Sequence, residues 1–477
     1  MQFNYIANAC APSSSGRTIP MLDPSDGQPY DEIQRSNASD IDTAVRAARQ
    51  GFEAVWRKLS AAERGRLLMR LSLKITEHTE ELSAIEQRDC GKPTRQARAD
   101  ATALARYFEF YAGACDKLHG ETIPYQDGYS VLTWREPHGI TGHIIPWNYP
   151  MQIFGRSVGG ALAAGNVCVV KPAEDACLSL LRVAQLATEV GFPAGVINIV
   201  TGYGHEVGDA LARHPGIDHI SFTGSPAVGT LISQVAAQRH CPVTLELGGK
   251  SPQIVFADAD LDAAIPAIIN AIVQNAGQTC SAGSRLLVDQ AIYEPLLERL
   301  GRAFENLRVG PATMDLDLGP LIRQSQQQRV WDFLSDAQVA HIAMVAQGKV
   351  VDEAPQTGFY QAPTLLRDVP ITHRLAQEEV FGPVLVAMSF RDEAHAVELA
   401  NATPFGLVAG VWTADGARQF RMARRLRCGQ VFINNYGAGG GVELPFGGVK
   451  SSGHGREKGF EALYGFSTLK TVAIKHG

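Results

Sequence analysis

The sequence predicts an α/β protein with two Rossmann-like parallel α/β domains and a small additional β arm. Three observations carry this. From about residue 139 to 246, short β-branched runs (167–170, 196–200, 219–222 and 243–245) alternate with helical stretches such as 178–190. Strands that alternate with helices imply βαβ units around a parallel sheet. A second series of the same kind runs from about 249 to 448. Two β-rich pieces fit neither series. Residues 121–136 read as a hairpin turning at Asp127-Gly128, and residues 466–475 read as a lone strand with Leu469, Val472 and Ile474.

The chain opens with helices. Ile41, Ala44, Val45, Ala48, Phe52 and Val55 form one apolar stripe over 40–56, with Ser39 as the expected N-cap and Asp40 and Asp42 in the first turn. A second helix is expected over 61–75. Two isolated β pieces at distant points of the sequence would be exposed edges in a monomer, which are prone to pair with another chain.

At 477 residues the chain exceeds one core and calls for about three domains. An apolar share of 45% with 19% charged residues excludes disorder and coiled coil. The net charge of −6 gives no basic footprint, so no nucleic-acid partner is expected. No run reaches the ~18 apolar residues of a membrane span, and residues 1–5 lack a signal pattern, so no membrane partner and a cytoplasmic location are expected. The eight cysteines show no C-x-x-C pair and no zinc spacing, so no metal is expected, and most should be free thiols of a reducing compartment.

Chemistry concentrates in a few motifs. Asn275-Ala276-Gly277-Gln278-Thr279-Cys280 follows Glu246-Leu247-Gly248-Gly249-Lys250, with the cysteine 34 residues after the glutamate. Pro146-Trp147-Asn148-Tyr149-Pro150 precedes them, and Glu379-Val380-Phe381-Gly382-Pro383 and Pro445-Phe446-Gly447-Gly448 follow. Phe222-Thr223-Gly224-Ser225 with Gly229 ends a predicted strand and opens a helix, where free backbone amides suit a pyrophosphate. Gly202-Tyr203-Gly204 with Gly208 has one residue too many for a dinucleotide fingerprint.

In these motifs, their order and their spacing, the chain resembles the aldehyde dehydrogenase superfamily over nearly its whole length. The resemblance implies that family's fold, with residues 1–118 and 139–248 as the NAD-binding domain and 249–448 as the catalytic domain. Residues 119–138 and 460–477 become an oligomerisation arm, implying a homodimer or homotetramer. It also implies NAD-dependent oxidation of a small-molecule aldehyde by the hydrolytic, non-acylating branch. Cys280 becomes the nucleophile, Glu246 the general base that activates water, and Asn148 a donor to the oxyanion. A cysteine suits the task because even at an unperturbed pKa near ~8.5 a few per cent is thiolate at neutral pH. Glu246 decides the subclass, since acyl-transferring relatives usually lack a glutamate there.

The cofactor residues implied are Ile145, Pro146, Trp147, Lys171, Glu174, Gly204, Phe222, Gly224, Ser225, Gly229, Leu247, Glu379 and Phe381. A carboxylate at Glu174 that binds a ribose diol repels a 2′-phosphate, so NAD is favoured over NADP. The substrate tunnel is expected at Tyr149, Ile153, Arg156, Ser281 and Phe446. The glycine-rich run 437–441 removes side chains that would otherwise wall it. Two alternatives stand beside the leading reading. One is a semialdehyde dehydrogenase whose Arg156 binds a substrate carboxylate, against which stands an Arg156 paired within the protein. The other is a catalytically silent structural relative, which would have no need of Cys280, Glu246 and Asn148.

Overall fold

The computed structural model describes the whole chain apart from Gly439. One sheet has eight strands in the order Ala9–Ala11, Asn4–Ile6, Ile197–Ile199, Val167–Pro172, Ile140–Ile145, His219–Thr223, Val243–Glu246 and Gly453–His454. The central five are parallel, and antiparallel strands flank them on both sides. Counted in chain order, these five run 3-2-1-4-5. The order therefore reverses between Ile140–Ile145 and His219–Thr223, the crevice where doubly wound sheets bind ligands beyond their carboxyl ends. These strands are buried on both faces, which explains why they read as continuous rather than alternating apolar runs.

The other large sheet has seven strands, Met344–Gln347, Thr364–Leu366, Val384–Phe390, Arg285–Asp289, Pro252–Val255, Val408–Trp412 and Gln430–Ile433, all parallel except the first. Each large sheet has its own core. One gathers Val169, Leu180 and Leu245, and the other Ile254, Leu286 and Val411. Val442, inside the expected 249–448 block, packs instead in the first core with Ala462, Leu463 and Phe466.

Two local expectations need correction. The first helix, Ala38–Ala54, is capped by Asn37 rather than Ser39. The Asn37 side chain accepts the Ser39 N–H at 2.8 Å, and the Asp40 carboxylate accepts the Asn37 N–H at 2.9 Å. That reciprocal pair satisfies two end donors at once. The two stray β pieces are not separate edges. Ser467–Lys475 pairs antiparallel with Tyr129–Pro137 along nine residues, and Thr122–Ile123 completes a three-stranded sheet. Pairing within the chain satisfies backbone groups that each piece alone would leave open. Trp134, Leu469 and Ile474 remain exposed on this sheet. Among the described residues, no helix is long and apolar enough to cross a membrane.

Candidate active site

Cys280 lies in a short turn segment entered through strained backbone. Asn275 and Ala276 have φ of 49° and 51°, left-handed values unusual for residues with a Cβ, and Gly277 follows at 74°. A Cβ on Gly277 would lie 2.3 Å from the Gly382 carbonyl carbon, so the motif glycine allows two loops to touch. The double glycine after Glu246 has the same cause. A Cβ on Gly248 would meet the Glu379 carboxylate at 2.5 Å, and one on Gly249 the Cys280 carbonyl at 2.4 Å. The Glu246, Cys280 and Glu379 motifs, far apart in sequence, therefore meet at one place.

Cys280 packs against Leu407, Val408 and Phe446 and opens onto a cleft of about 1530 Å³. The walls include Asn148, Tyr149, Ile153, Arg156, Ser281 and Phe446, so all five expected tunnel residues share one cavity with Cys280 and Asn148. Tyr149, Ile153 and Arg156 do so because they lie at the start of the almost wholly buried helix Pro150–Ala164, with Pro150 at its first position and Ile153 and Arg156 one turn apart. Burial pushes the Cys280 thiol up to about 12, although the Arg156 guanidinium pulls it down. The few per cent of thiolate expected for an unperturbed cysteine is thus corrected downward, because a low-dielectric site disfavours the charged form. The Asn148 side-chain amide donates to the Gln278 backbone carbonyl at 2.9 Å, and the Asn148 backbone carbonyl accepts from the Asn275 side chain at 2.9 Å.

Glu246 ends the strand Val243–Glu246 and does not line the cleft. Its carboxyl is buried, and neither oxygen has a hydrogen-bond partner. Burial raises its pKa well above the ordinary carboxylate range, against the pull of Arg156. Arg156 itself is held by protein groups. Its Nε lies 2.6 Å from Glu457 Oε2, a contact that is an ion pair without hydrogen-bond alignment, and Nη2 donates to Thr223 Oγ1 at 3.2 Å. Ser221 donates to the other Glu457 oxygen at 2.5 Å. The semialdehyde alternative thus finds its arginine already paired.

The nucleotide candidates gather at the carboxyl ends of the first sheet. Ile145, Pro146 and Trp147 end the first parallel strand; Lys171 and Glu174 end the second. Gly204 follows the third; Phe222 lies near the end of the fourth, with Gly224, Ser225 and Gly229 after it; and Leu247 follows the fifth. Lys171 Nζ pairs with Glu174 Oε2 at 2.8 Å. Not every expected amide is free: Gly224 N–H donates to the Glu246 carbonyl at 3.0 Å, and Pro226 has none. From the second sheet, Phe381 sets its ring edge-on to Trp147 at 5.4 Å, with a left-handed φ of 59°. The half-buried Glu379 carboxyl accepts the Gly249 N–H at 2.9 Å, and desolvation raises it to about 7. A switch-point crevice, a ribose-suited lysine–glutamate pair, a helix start and a facing aromatic pair fit a dinucleotide.

Sequence reading missed two parts of this site. Lys92 is fully buried with Glu86 at 2.8 Å and with Asp100, and its ammonium lies 4.1 Å from the Tyr149 ring centroid. Tyr149 OH in turn reaches Thr279 Oγ1 at 3.1 Å. The second is the pair Glu457 and Lys458, which lies 177 and 178 residues beyond Cys280 in a glycine-broken run with no periodicity to mark it.

The family model described as "Aldehyde dehydrogenase family" matches residues 11–472. A hydroxyisobutyraldehyde dehydrogenase of Mycolicibacterium austroafricanum is 41% identical, over 98% of this chain and 93% of that one. A solved protein from Burkholderia cenocepacia, itself assigned as an aldehyde dehydrogenase, superposes with a TM-score of 0.99 at 73% identity and full coverage of both chains. The NAD+ complex of an aldehyde dehydrogenase from Bacillus cereus gives a TM-score of 0.96 at 37% identity, covering 100% and 97% of the two chains. With a family match across nearly its full length and this site geometry, the chain belongs to the aldehyde dehydrogenase family.

Proposed function

We propose that the protein oxidises an aldehyde to its carboxylic acid with NAD, through a covalent intermediate on Cys280. The single observation that carries this reading is that Cys280 and Asn148 share one cleft, while the Glu246 and Glu379 segments close against the Cys280 segment behind it. Cys280 sulfur, as thiolate, attacks the carbonyl carbon: an S–C bond forms and the C=O π pair moves to oxygen. The Asn148 amide and the Cys280 backbone N–H hold that oxyanion. Bound NAD supplies the hydride acceptor, and the residues that would hold it are Lys171, Glu174, the 222–229 turn with its helix, Trp147, Glu379 and Phe381. The resulting thioester on Cys280 takes up a water whose proton goes to Glu246. The C–S bond then breaks, and the acid leaves.

Two features support Glu246 as the base. Both its oxygens are without partners, and a buried carboxyl lifted above its usual range is matched to proton transfer near neutral pH. Because Glu246 lies behind the cleft wall, its side chain must turn towards Cys280 or act through water. Residues 1–118 and 139–248 form the NAD-binding domain and 249–448 the catalytic domain, with Asn148 and Glu246 entering the site from the first and Glu379 and Phe381 from the second. The three-stranded sheet formed from 119–138 and 460–477 serves as the contact between copies in a homodimer or homotetramer. The reading places the enzyme in the cytoplasm, a reducing compartment in keeping with its free cysteines.

The test is formation of reduced nicotinamide from aliphatic and aromatic aldehydes, with NAD and NADP compared. Turnover with NAD, absent in Cys280→Ala while that variant still binds NAD, is the expected result. Undiminished turnover in Cys280→Ala overturns the mechanism.

A further inference from the structure

Five cations line the cleft: Arg95, Arg98, Arg106, Arg156 and Lys458. Four are answered by protein carboxylates. Arg95 reaches Asp315 at 3.9 Å, Arg98 pairs with Glu80, Arg106 pairs with Glu443 and with Glu109 at 3.3 Å, and Arg156 pairs with Glu457. Among the described residues, none gives Lys458 a carboxylate within ion-pair distance. Among the described residues its one polar partner is the Gly440 carbonyl oxygen, accepting from Nζ at 3.3 Å.

The ammonium stands close to the chemistry. Lys458 Nζ is 6.0 Å from the centre of the Phe446 ring, the same ring that packs against Cys280 and receives the Arg156 guanidinium at 4.9 Å. Lys458 has a φ of 62°, an uncommon value for a residue with a side chain, and its backbone is fixed between the paired Glu457 and the buried Gly459. Facing it, the glycine-rich run leaves space: a Cβ placed on Gly437 or Gly440 would meet nothing within 4 Å. Burial and the nearby Arg156 pull the Lys458 ammonium down to about 8, so it is mostly charged at neutral pH yet poorly compensated. A half-buried cation with spare donors beside open space is stabilised by an incoming anion.

We propose that Lys458 receives a carboxylate at the far end of the substrate, so that ω-carboxy aldehydes are the preferred substrate class. This rests on the aldehyde-oxidising reading above and assigns to Lys458 the role that the sequence suggested for Arg156. The aldehyde carbon lies at Cys280, the chain of the substrate passes Phe446, and the carboxylate replaces solvent at Nζ. The glycine-rich run supplies the width that lets the carboxylate approach.

The experiment compares kcat/KM for succinic, glutaric and adipic semialdehydes with butanal, pentanal and hexanal. In the wild type the carboxylated member of at least one pair should lead. In Lys458→Met its lead should fall by about ten- to a hundred-fold, the worth of a charge-assisted hydrogen bond, and Lys458→Arg should retain it. A wild-type preference for the neutral aldehydes, or an unchanged ratio in Lys458→Met, overturns the proposal. Calorimetric binding of adipate against hexanoate needs no turnover and separates the two readings. Tighter adipate binding that is lost in Lys458→Met supports the anion site even if no aldehyde were oxidised. Equal binding of the two acids by the wild type overturns it while leaving aldehyde oxidation standing.

Discussion

At Cys280 and Glu246, burial works against both groups that the proposed reaction needs charged, and Arg156 is the cation that works for them. Glu246 accepts a proton only above its raised pKa, so thioester hydrolysis should fall as pH drops through a value higher than an ordinary carboxylate gives. Arg156→Met removes the cation that favours both anions. The acid limb of the kcat profile should therefore move to higher pH; an unmoved limb would assign Arg156 a purely structural role. Glu246→Gln should slow hydrolysis by about 10²–10⁴-fold and leave a burst of reduced nicotinamide before a slow steady state. An unaltered steady state removes Glu246 from the mechanism. Asn148→Ala should lower kcat by about 10²–10³-fold, the usual loss for one oxyanion donor, with NAD affinity retained.

The helix Pro150–Ala164 carries most of the cleft wall, and its entry is fixed from below by charge. Lys92, at the turn between the helices Thr79–Cys90 and Thr94–Ala114, is fully buried between Glu86 and Asp100 and supports the Tyr149 ring. Gln152 also donates to Asp100, at 2.5 Å. Removing one member of such a set leaves buried charge unanswered. Lys92→Met should destabilise the protein by about 3–5 kcal/mol, read as a lowered melting temperature. An unchanged melting temperature would remove the triad from the groups that stabilise the fold. At this scale the sequence was legible where apolar periodicity ruled: the helices near 38–54 and 61–77 and the strand–helix alternation appear within a few residues of their expected bounds. It was not legible at Lys92, because a buried lysine looks like a surface lysine until its partners, six and eight residues away, are folded around it.

For the whole molecule, the three-stranded sheet built from residues 122–137 and 467–475 holds together the two ends of the first core, yet keeps Trp134, Leu469 and Ile474 exposed at 50, 55 and 48%. By register Trp134 and Ile474 share one face and Leu469 lies on the other, and large apolar side chains left in water favour a second copy as cover. Leu469→Asp with Trp134→Glu should reduce the mass measured by light scattering to that of a smaller assembly. A wild type that is already monomeric, or a double variant of unchanged mass, removes the sheet from the interface.

The division between what the sequence determined and what tertiary structure decided follows from range. Fold class, the two parallel sheets and the candidate residues Cys280, Glu246 and Asn148 are local signals: β-branched runs, helical stripes and motifs whose glycines exist because loops meet at Gly249 and Gly277. Partnership between charges is not local. Whether Arg156 faced substrate or a protein acid depended on Glu457, 301 residues further along, and the unanswered cation proved to be Lys458. The stray β pieces likewise read as two exposed edges until the chain brought Ser467–Lys475 against Tyr129–Pro137. Coulomb pairing and strand pairing are set by distance in space, and only the folded chain fixes that distance.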